Sequence, residues 1–140
     1  MPASIASFLE RHIGCAPLVL VVEDDEETRD GIGALLTSDG YRVEAARSEN
    51  DAVERALRCC PDLILVSLAG SPDEVVAAAV RTRRRAEIDK TVPVVVFCVP
   101  TIEEGAEIAL GRNVYITRPD NFDQLRALLG RLLIASIGFG

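Results

Sequence analysis

Several short apolar runs of the sequence are followed by polar side chains that could together form a reactive or binding site. They are an acidic pair, Glu23 and Asp24, a hydroxyl on Ser67, a thiol on Cys98 and a guanidinium on Arg118. Carboxylates bind cations, a hydroxyl or a thiol can act as a nucleophile, and a guanidinium binds carboxylate or phosphate oxygens. No glycine-rich segment follows the acidic pair, and its charge disfavours a bound phosphate group. A flavin or nucleotide site is therefore not expected here.

The apolar runs have the composition of β-strands, and they alternate with segments of helical period. The runs lie at residues 18–22, 41–45, 63–67, 92–98 and 114–117. Several are almost continuously apolar, as expected for strands that are covered on both faces. The succession predicts an α/β fold: a flavodoxin-like, doubly wound sheet of five parallel strands in the order 2-1-3-4-5, in a three-layer αβα arrangement. The carboxyl ends of such strands meet at one edge, which would bring the polar side chains together.

The segments between the runs carry helix-capping signals. The first helix is predicted over residues 26–39, and Ser48 begins a capping pattern for the second. Ser71, followed by a proline, is expected to cap the third helix. Thr101 repeats the capping pattern and predicts a fourth helix, while Asp120 is expected to open the last one.

Composition narrows the classes of function. The net charge of -7 argues against direct nucleic-acid binding, and the basic run 81–85 is interpreted as the solvated end of the third helix. Aromatic residues make up only 4%, too few for a stacking platform. The four cysteines lack zinc-site spacing, so reduced thiols are expected. Because no apolar run reaches the length of a bilayer span and no export signal is present, we expect a cytoplasmic protein without membrane contact.

The 140 residues fit one domain. Residues 1–17 are predicted to be a leader, either an extra amphipathic helix or a frayed end. Residues 18–135 form the predicted domain, and residues 136–140 an apolar tail that packs on the sheet or meets a partner.

Five short motifs carry a resemblance to a known family. They are Leu-Val-Val-Glu-Asp-Asp at 20–25, Gly-Tyr-Arg-Val at 40–43, Pro-Asp-Leu-Ile-Leu at 61–65, Pro-Val-Val-Val-Phe at 93–97 and Val-Tyr-Ile-Thr-Arg-Pro at 114–119. The chain resembles the receiver domain of bacterial two-component response regulators over residues 18–134. The resemblance implies that Tyr115 is the aromatic switch residue and that the peptide bond before Pro119 is cis.

Three positions depart from the pattern of that family. Strand three of a receiver ends in an aspartate that takes a phosphoryl group from a phosphohistidine, and here Ser67 occupies that position. Cys98 replaces the hydroxyl residue of strand four, and Arg118 replaces the lysine of strand five. The loss of a carboxylate leaves Glu23 and Asp24 as weak candidates for binding Mg²⁺, so we expect no cofactor. Arg118 is expected to pair with Glu23 or Asp24 instead of the metal.

These departures predict a degenerate receiver, or pseudo-receiver, that is not an enzyme and has no output domain. It would act in phosphorelay-type signal transduction through phosphorylation-independent contact with another signalling protein. The expected surface is the fourth helix, fifth strand and fifth helix, and a homodimer through it is left open. Two alternatives remain. One is a phosphorylation-responsive receiver with an unconventional acceptor and weak Mg²⁺ binding, and the other is a thiol-based sensor that uses Cys98.

Overall fold

The computed structural model describes residues 15–97 and 101–136, with side chains as far as Ile134. The described strands are β1 (Leu18–Glu23), β2 (Arg42–Ala46), β3 (Leu63–Ser67), β4 (Val94–Phe97), β5 (Glu107–Gly111) and β6 (Val114–Thr117). The described helices are α1 (Glu26–Ser38), α2 (Glu49–Cys59), α3 (Pro72–Arg85) and α4 (Phe122–Ser136). The predictions for residues 1–14 and for the tail after Ser136 lie outside the described residues.

The strands form one sheet in the order β2-β1-β3-β4-β6-β5. Every neighbouring pair is parallel except β5 and β6, which are antiparallel. The prediction of an α/β fold with a parallel sheet is therefore confirmed. The prediction of five strands in the order 2-1-3-4-5 is wrong, because the sheet gains an antiparallel edge strand beyond the last parallel one.

That edge strand replaces the fourth helix predicted from Thr101. Residues 101–106 form a loop that leads into β5, which pairs only with β6 within the described residues. All five residues of β5 are exposed. The capping pattern at Thr101 therefore starts no helix, and the partner surface predicted to contain that helix has a different shape.

The hairpin of β5 and β6 has a clear local cause. Its two turn residues, Arg112 and Asn113, have φ angles of 58° and 59°. Two successive left-handed residues make the tight turn whose twist matches paired antiparallel strands. At the other end, the Gly105 N–H donates to the Arg118 carbonyl at 2.6 Å, and the Arg118 N–H donates to the Ala106 carbonyl at 3.1 Å. These bonds extend the pairing beyond the strands and leave no room for a helix.

Two apolar clusters cover the two faces of the sheet, as expected for three layers. On one face, strand residues such as Val22 and Val66 pack with α2 and α3. On the other face, Val21, Leu65 and Phe97 pack with α1 and α4. Successive apolar residues of β1, β3 and β4 thus enter opposite clusters, which explains why these three strands are almost continuously apolar.

The helix starts follow the capping signals with one shift. Ser48 accepts a hydrogen bond from the Asp51 N–H, and Ser71 accepts one from the Glu74 N–H, as the patterns predict. The last helix begins at Phe122, and its N-terminal cap is Asn121, whose Oδ1 accepts from the Gln124 N–H at 3.0 Å. The helix was predicted to open at Asp120, and the capping residue is instead the next one, Asn121. Within the described part of the chain, no helix is both long and apolar enough to cross a membrane.

Candidate functional site

Glu23 and Ser67 lie side by side at the carboxyl edge of the sheet. They are the last residues of the adjacent strands β1 and β3, and they are partners in the strand register. Only 6% of Glu23 is exposed, and its Oε2 accepts a hydrogen bond from the Asp25 N–H at 3.0 Å. Ser67 is half-buried. The structure thus brings together two of the residues predicted to form the site.

The carboxyl group of Glu23 is held in an environment that disfavours its charge. Its pKa is raised from the ordinary value, chiefly because burial removes the carboxylate from water. The neighbouring Asp24 raises this pKa further, whereas the Asp25 N–H and the Ser67 hydroxyl lower it by hydrogen bonding to the carboxylate. The net effect is a raised pKa, so this environment holds the carboxylate form less well than water does.

The rest of the acidic segment faces solvent. Asp24 is exposed, and Asp25 is exposed and caps α1 by accepting hydrogen bonds from the Thr28 hydroxyl at 2.6 Å and the Thr28 N–H at 2.9 Å. These bonds lower the pKa of Asp25. Asp25 is therefore a helix cap, as its place before α1 indicates.

Arg118 lies at the same edge, immediately after β6, but the predicted ion pair is not formed. Its Nη1 donates to the Ile102 carbonyl at 3.0 Å. Among the ion pairs of the described residues, none joins Arg118 to Glu23 or Asp24. The loop that replaces the predicted helix supplies the carbonyl that holds the guanidinium, and this loop could not be foreseen from the capping pattern.

Arg29, which is not among the residues predicted for the site, reaches the same strand end. Its Nη1 donates to the main-chain carbonyl of Glu23 at 2.9 Å. This contact could have been predicted from the position of Arg29 in the first turn of α1, one turn after Asp25. Side chains of a helix point toward its N-terminus, and here that direction leads back to the end of β1. Arg29 therefore fixes the backbone at the site.

The peptide bond between Arg118 and Pro119 corrects another prediction. The described residues contain no cis peptide bond, so this bond is trans. Trans is the ordinary preference even before proline. The Arg118 main chain is held in line with the hairpin by its hydrogen bonds to Gly105 and Ala106, and nothing in this pairing requires the cis form.

Tyr115 and the cysteines bear on the other predictions. Tyr115 is half-buried in β6, and its hydroxyl donates to Asn113 Oδ1 at 3.2 Å. Its predicted role as a switch stays a prediction. Cys98 lies outside the described residues, so the structure does not describe the proposed sensor thiol. Burial raises the pKa of Cys59, which reduces its thiolate fraction at neutral pH.

The donor set at this edge fits Mg²⁺ poorly. It offers one buried carboxyl group whose pKa is raised, one exposed carboxylate on Asp24 and the hydroxyl of Ser67. Across residues 15–97 and 101–136, no three histidine, cysteine, aspartate or glutamate side chains gather in a way that could hold a metal ion. Magnesium prefers octahedral coordination by oxygen atoms that include ionised carboxylates.

The sequence of the chain is similar to those of bacterial transcriptional regulators. It is 32% identical over 111 residues to the transcriptional regulatory protein KdpE of Staphylococcus aureus, with 78% of this chain and 46% of the relative covered. It is 29% identical over 125 residues to the virulence transcriptional regulatory protein PhoP of Salmonella typhimurium, with 86% of this chain and 53% of the relative covered. The chain thus spans about half the length of these relatives. No protein-family model matches it.

Structural comparison shows which known fold the chain has. The chain is similar to the N-terminal domain of a response regulator/sensory box/GGDEF three-domain protein from Carboxydothermus hydrogenoformans, with a TM-score of 0.62 and 24% identity. The match covers 84% of this chain and 94% of that domain. The chain therefore has the fold of a response-regulator receiver domain.

Proposed function

We propose that the chain is a degenerate receiver domain that works in two-component signalling by protein contact and is not phosphorylated at Ser67. The observation that carries the proposal is the pairing of Ser67 with Glu23 at the ends of β3 and β1. In a receiver this strand end supplies the carboxylate that accepts the phosphoryl group, and here it supplies a hydroxyl.

The chemistry of the position supports this proposal. A serine hydroxyl is a weak nucleophile unless a base removes its proton. The sequence contains a single histidine, His12, which lies far from Ser67 along the chain and outside the described residues. Glu23 is the neighbouring carboxyl group, and its raised pKa reflects burial and a nearby negative charge, not a cationic partner. A phosphoryl group would add further negative charge beside Glu23 and Asp24.

The proposed contact surface is formed by β5, β6 and α4. On β5, 40% of Ile108 and 48% of Leu110 are exposed. An exposed edge strand with apolar side chains is a surface that partner proteins use. The proposed occupant is another signalling protein, and a second copy of the chain is the alternative.

The proposal is tested by incubating the chain with acetyl phosphate and Mg²⁺ and measuring the intact mass. We expect wild type, Ser67→Ala and Ser71→Ala to remain unmodified. Ser71 is the matched control, because it caps α3 and its hydroxyl is already hydrogen-bonded. The alternative of an unconventional acceptor predicts the mass of one phosphoryl group on wild type and on Ser71→Ala, with none on Ser67→Ala. That pattern would overturn the proposal.

A further inference from the structure

A cleft with a volume of about 650 Å³ opens at the amino edge of the sheet, opposite the edge that carries Ser67. It lies between the end of α3, the loop that leads to β4 and the turn of the β5–β6 hairpin. The loop and the turn are joined, because Asn113 Nδ2 donates to the Lys90 carbonyl at 3.1 Å and the Val94 N–H donates to the Asn113 carbonyl at 2.8 Å. The cleft is thus a built feature of the domain.

A buried arginine, Arg83, forms part of the cleft wall. Only 4% of Arg83 is exposed, and its Nη1 donates to the carbonyls of Val92 at 3.0 Å and Asn113 at 3.5 Å. Its Nε and Nη2 make no hydrogen bond to the described residues. Two donors of a guanidinium that lines the cleft are therefore left without a protein acceptor there.

The charge around Arg83 is not balanced by the protein. The cleft is lined by four cationic side chains, those of Arg83, Arg84, Lys90 and Arg112, and by two carboxylates, a net charge of +2. In the described chain none of the four cations takes part in an ion pair, whereas Arg81 and Arg85 of the same helix both pair with Glu49.

Neither rim carboxylate, Glu87 or Asp89, forms an ion pair with Arg83. Asp89 accepts the Thr91 N–H at 2.8 Å, which occupies one of its oxygens. Burial and the neighbouring Arg112 lower the pKa of Arg83, so its surroundings oppose its charge. A buried charge is costly unless an opposite charge meets it, and the described residues supply none.

We propose that this cleft binds a small molecule that carries a phosphate group. A phosphate dianion matches the net charge of the lining, and the fork of a guanidinium donates two parallel hydrogen bonds to phosphate oxygens. The volume exceeds what a phosphate group alone would fill, and Val80 and Ile88 line the cleft beside the cations. The ligand therefore carries a compact apolar part as well, as in a phosphomonoester.

The test is an amide NMR titration with inorganic phosphate and with phenyl phosphate, at constant ionic strength maintained with KCl. We expect saturable shifts centred on Arg84, Lys90 and Arg112, with tighter binding of phenyl phosphate. The double substitution Lys90→Gln with Arg112→Gln should weaken binding about tenfold or more, because two charge-assisted contacts are lost. Both side chains are exposed, so the variant is expected to fold.

Two control variants separate the cleft from other effects. Arg81→Gln removes a cation from the same helix that pairs with Glu49, and it should leave the affinity unchanged. Ser67 lies at the other edge of the sheet, so Ser67→Ala should also leave the affinity for the phosphate probes unchanged. Binding in the cleft can therefore be tested independently of the proposed signalling function. The inference is overturned if neither phosphate probe saturates, if KCl alone reproduces the shifts, or if Arg81→Gln weakens binding as much as the double variant.

Discussion

Buried polar side chains in this domain differ in whether their polar atoms find partners. Tyr41 is 3% exposed, and its hydroxyl has no hydrogen-bond partner among the described residues. Burial and the nearby Asp39 raise the pKa of Tyr41 to about 12. By contrast, Tyr115 donates its hydroxyl hydrogen to Asn113. The same residue type is therefore unsatisfied in one place and satisfied in another.

This contrast predicts opposite effects of removing the two hydroxyl groups. Tyr41→Phe should raise the free energy of unfolding by up to about 1 kcal/mol, because an unsatisfied buried group costs that order of energy. Tyr115→Phe is the matched comparison and should lower it by about 0.5–1 kcal/mol through the lost hydrogen bond. Urea denaturation with an unchanged m-value measures both changes. A clear loss of stability in Tyr41→Phe would mean that its hydroxyl has a partner.

The raised pKa of Glu23 predicts a stability change that depends on pH. The pKa of Glu23 in the folded state lies above the ordinary glutamate value of 4.5, so the folded protein binds this proton more tightly than the unfolded chain. The stability from protonated Glu23 is present below pH 4.5 and is lost as pH rises through the folded-state pKa. Glu23→Gln escapes this loss, because a glutamine side chain does not ionise. Its amide oxygen can still accept the hydrogen bond from the Asp25 N–H.

We therefore expect Glu23→Gln to be more stable than wild type at pH 7, by on the order of 1 kcal/mol. The difference should shrink as pH falls toward 4.5. The exposed Glu54 supplies a control, and Glu54→Gln should change the stability little at either pH. Thermal unfolding across this pH range is the measurement. A Glu23→Gln variant that is less stable than wild type at pH 7 would contradict the account of this site.

The sequence predicted part of the candidate site. Glu23 and Ser67 follow apolar runs, and the rule that parallel strands end at one edge places them together. The hydrogen bond from Arg118 to the Ile102 carbonyl could not be predicted, because Ile102 lies in a loop whose path depends on the hairpin. Arg29 was missed because a long side chain reaches the strand end from within a helix.

At the scale of elements, the helices and strands up to β4 follow the patterns of the sequence, and the segment after β4 does not. The capping pattern at Thr101 is a local signal, and pairing with β6 overrides it. A competing signal was available in Gly111, Arg112 and Asn113, since glycine and asparagine favour the positive φ angles that these residues adopt. The capping pattern favoured a helix and the turn residues favoured a hairpin, and the pairing of β5 with β6 stabilises the hairpin.

The hairpin turn gives a test at this scale. Asn113 has a φ of 59°, and its side chain also bonds to the Lys90 carbonyl. Asn113→Gly keeps the backbone conformation and loses the side-chain bonds, so it should cost about 1 kcal/mol. Asn113→Ala adds the strain of a left-handed alanine, for a total of about 2–3 kcal/mol. Chemical denaturation compares the two variants. A helix in place of the hairpin would instead make alanine the better tolerated residue.

The whole molecule presents two edges of opposite character. The carboxyl edge carries the acidic segment beside Ser67, and the amino edge carries the cationic cleft around Arg83. β5 adds an exposed flank that a five-stranded sheet would lack. Signalling contact is proposed for that flank and for α4, and no phosphoryl chemistry is proposed for the carboxyl edge.

The most direct test of this account is an amide NMR titration of the chain with Mg²⁺ and then with beryllofluoride, which mimics a bound phosphoryl group. We predict that the signals of Glu23, Ser67 and Arg118 stay in place and that Tyr115 is unaffected. Shifts at the end of β3 that spread through Arg118 to Tyr115 would contradict the account, because they would mean that the pocket still responds to a phosphoryl group.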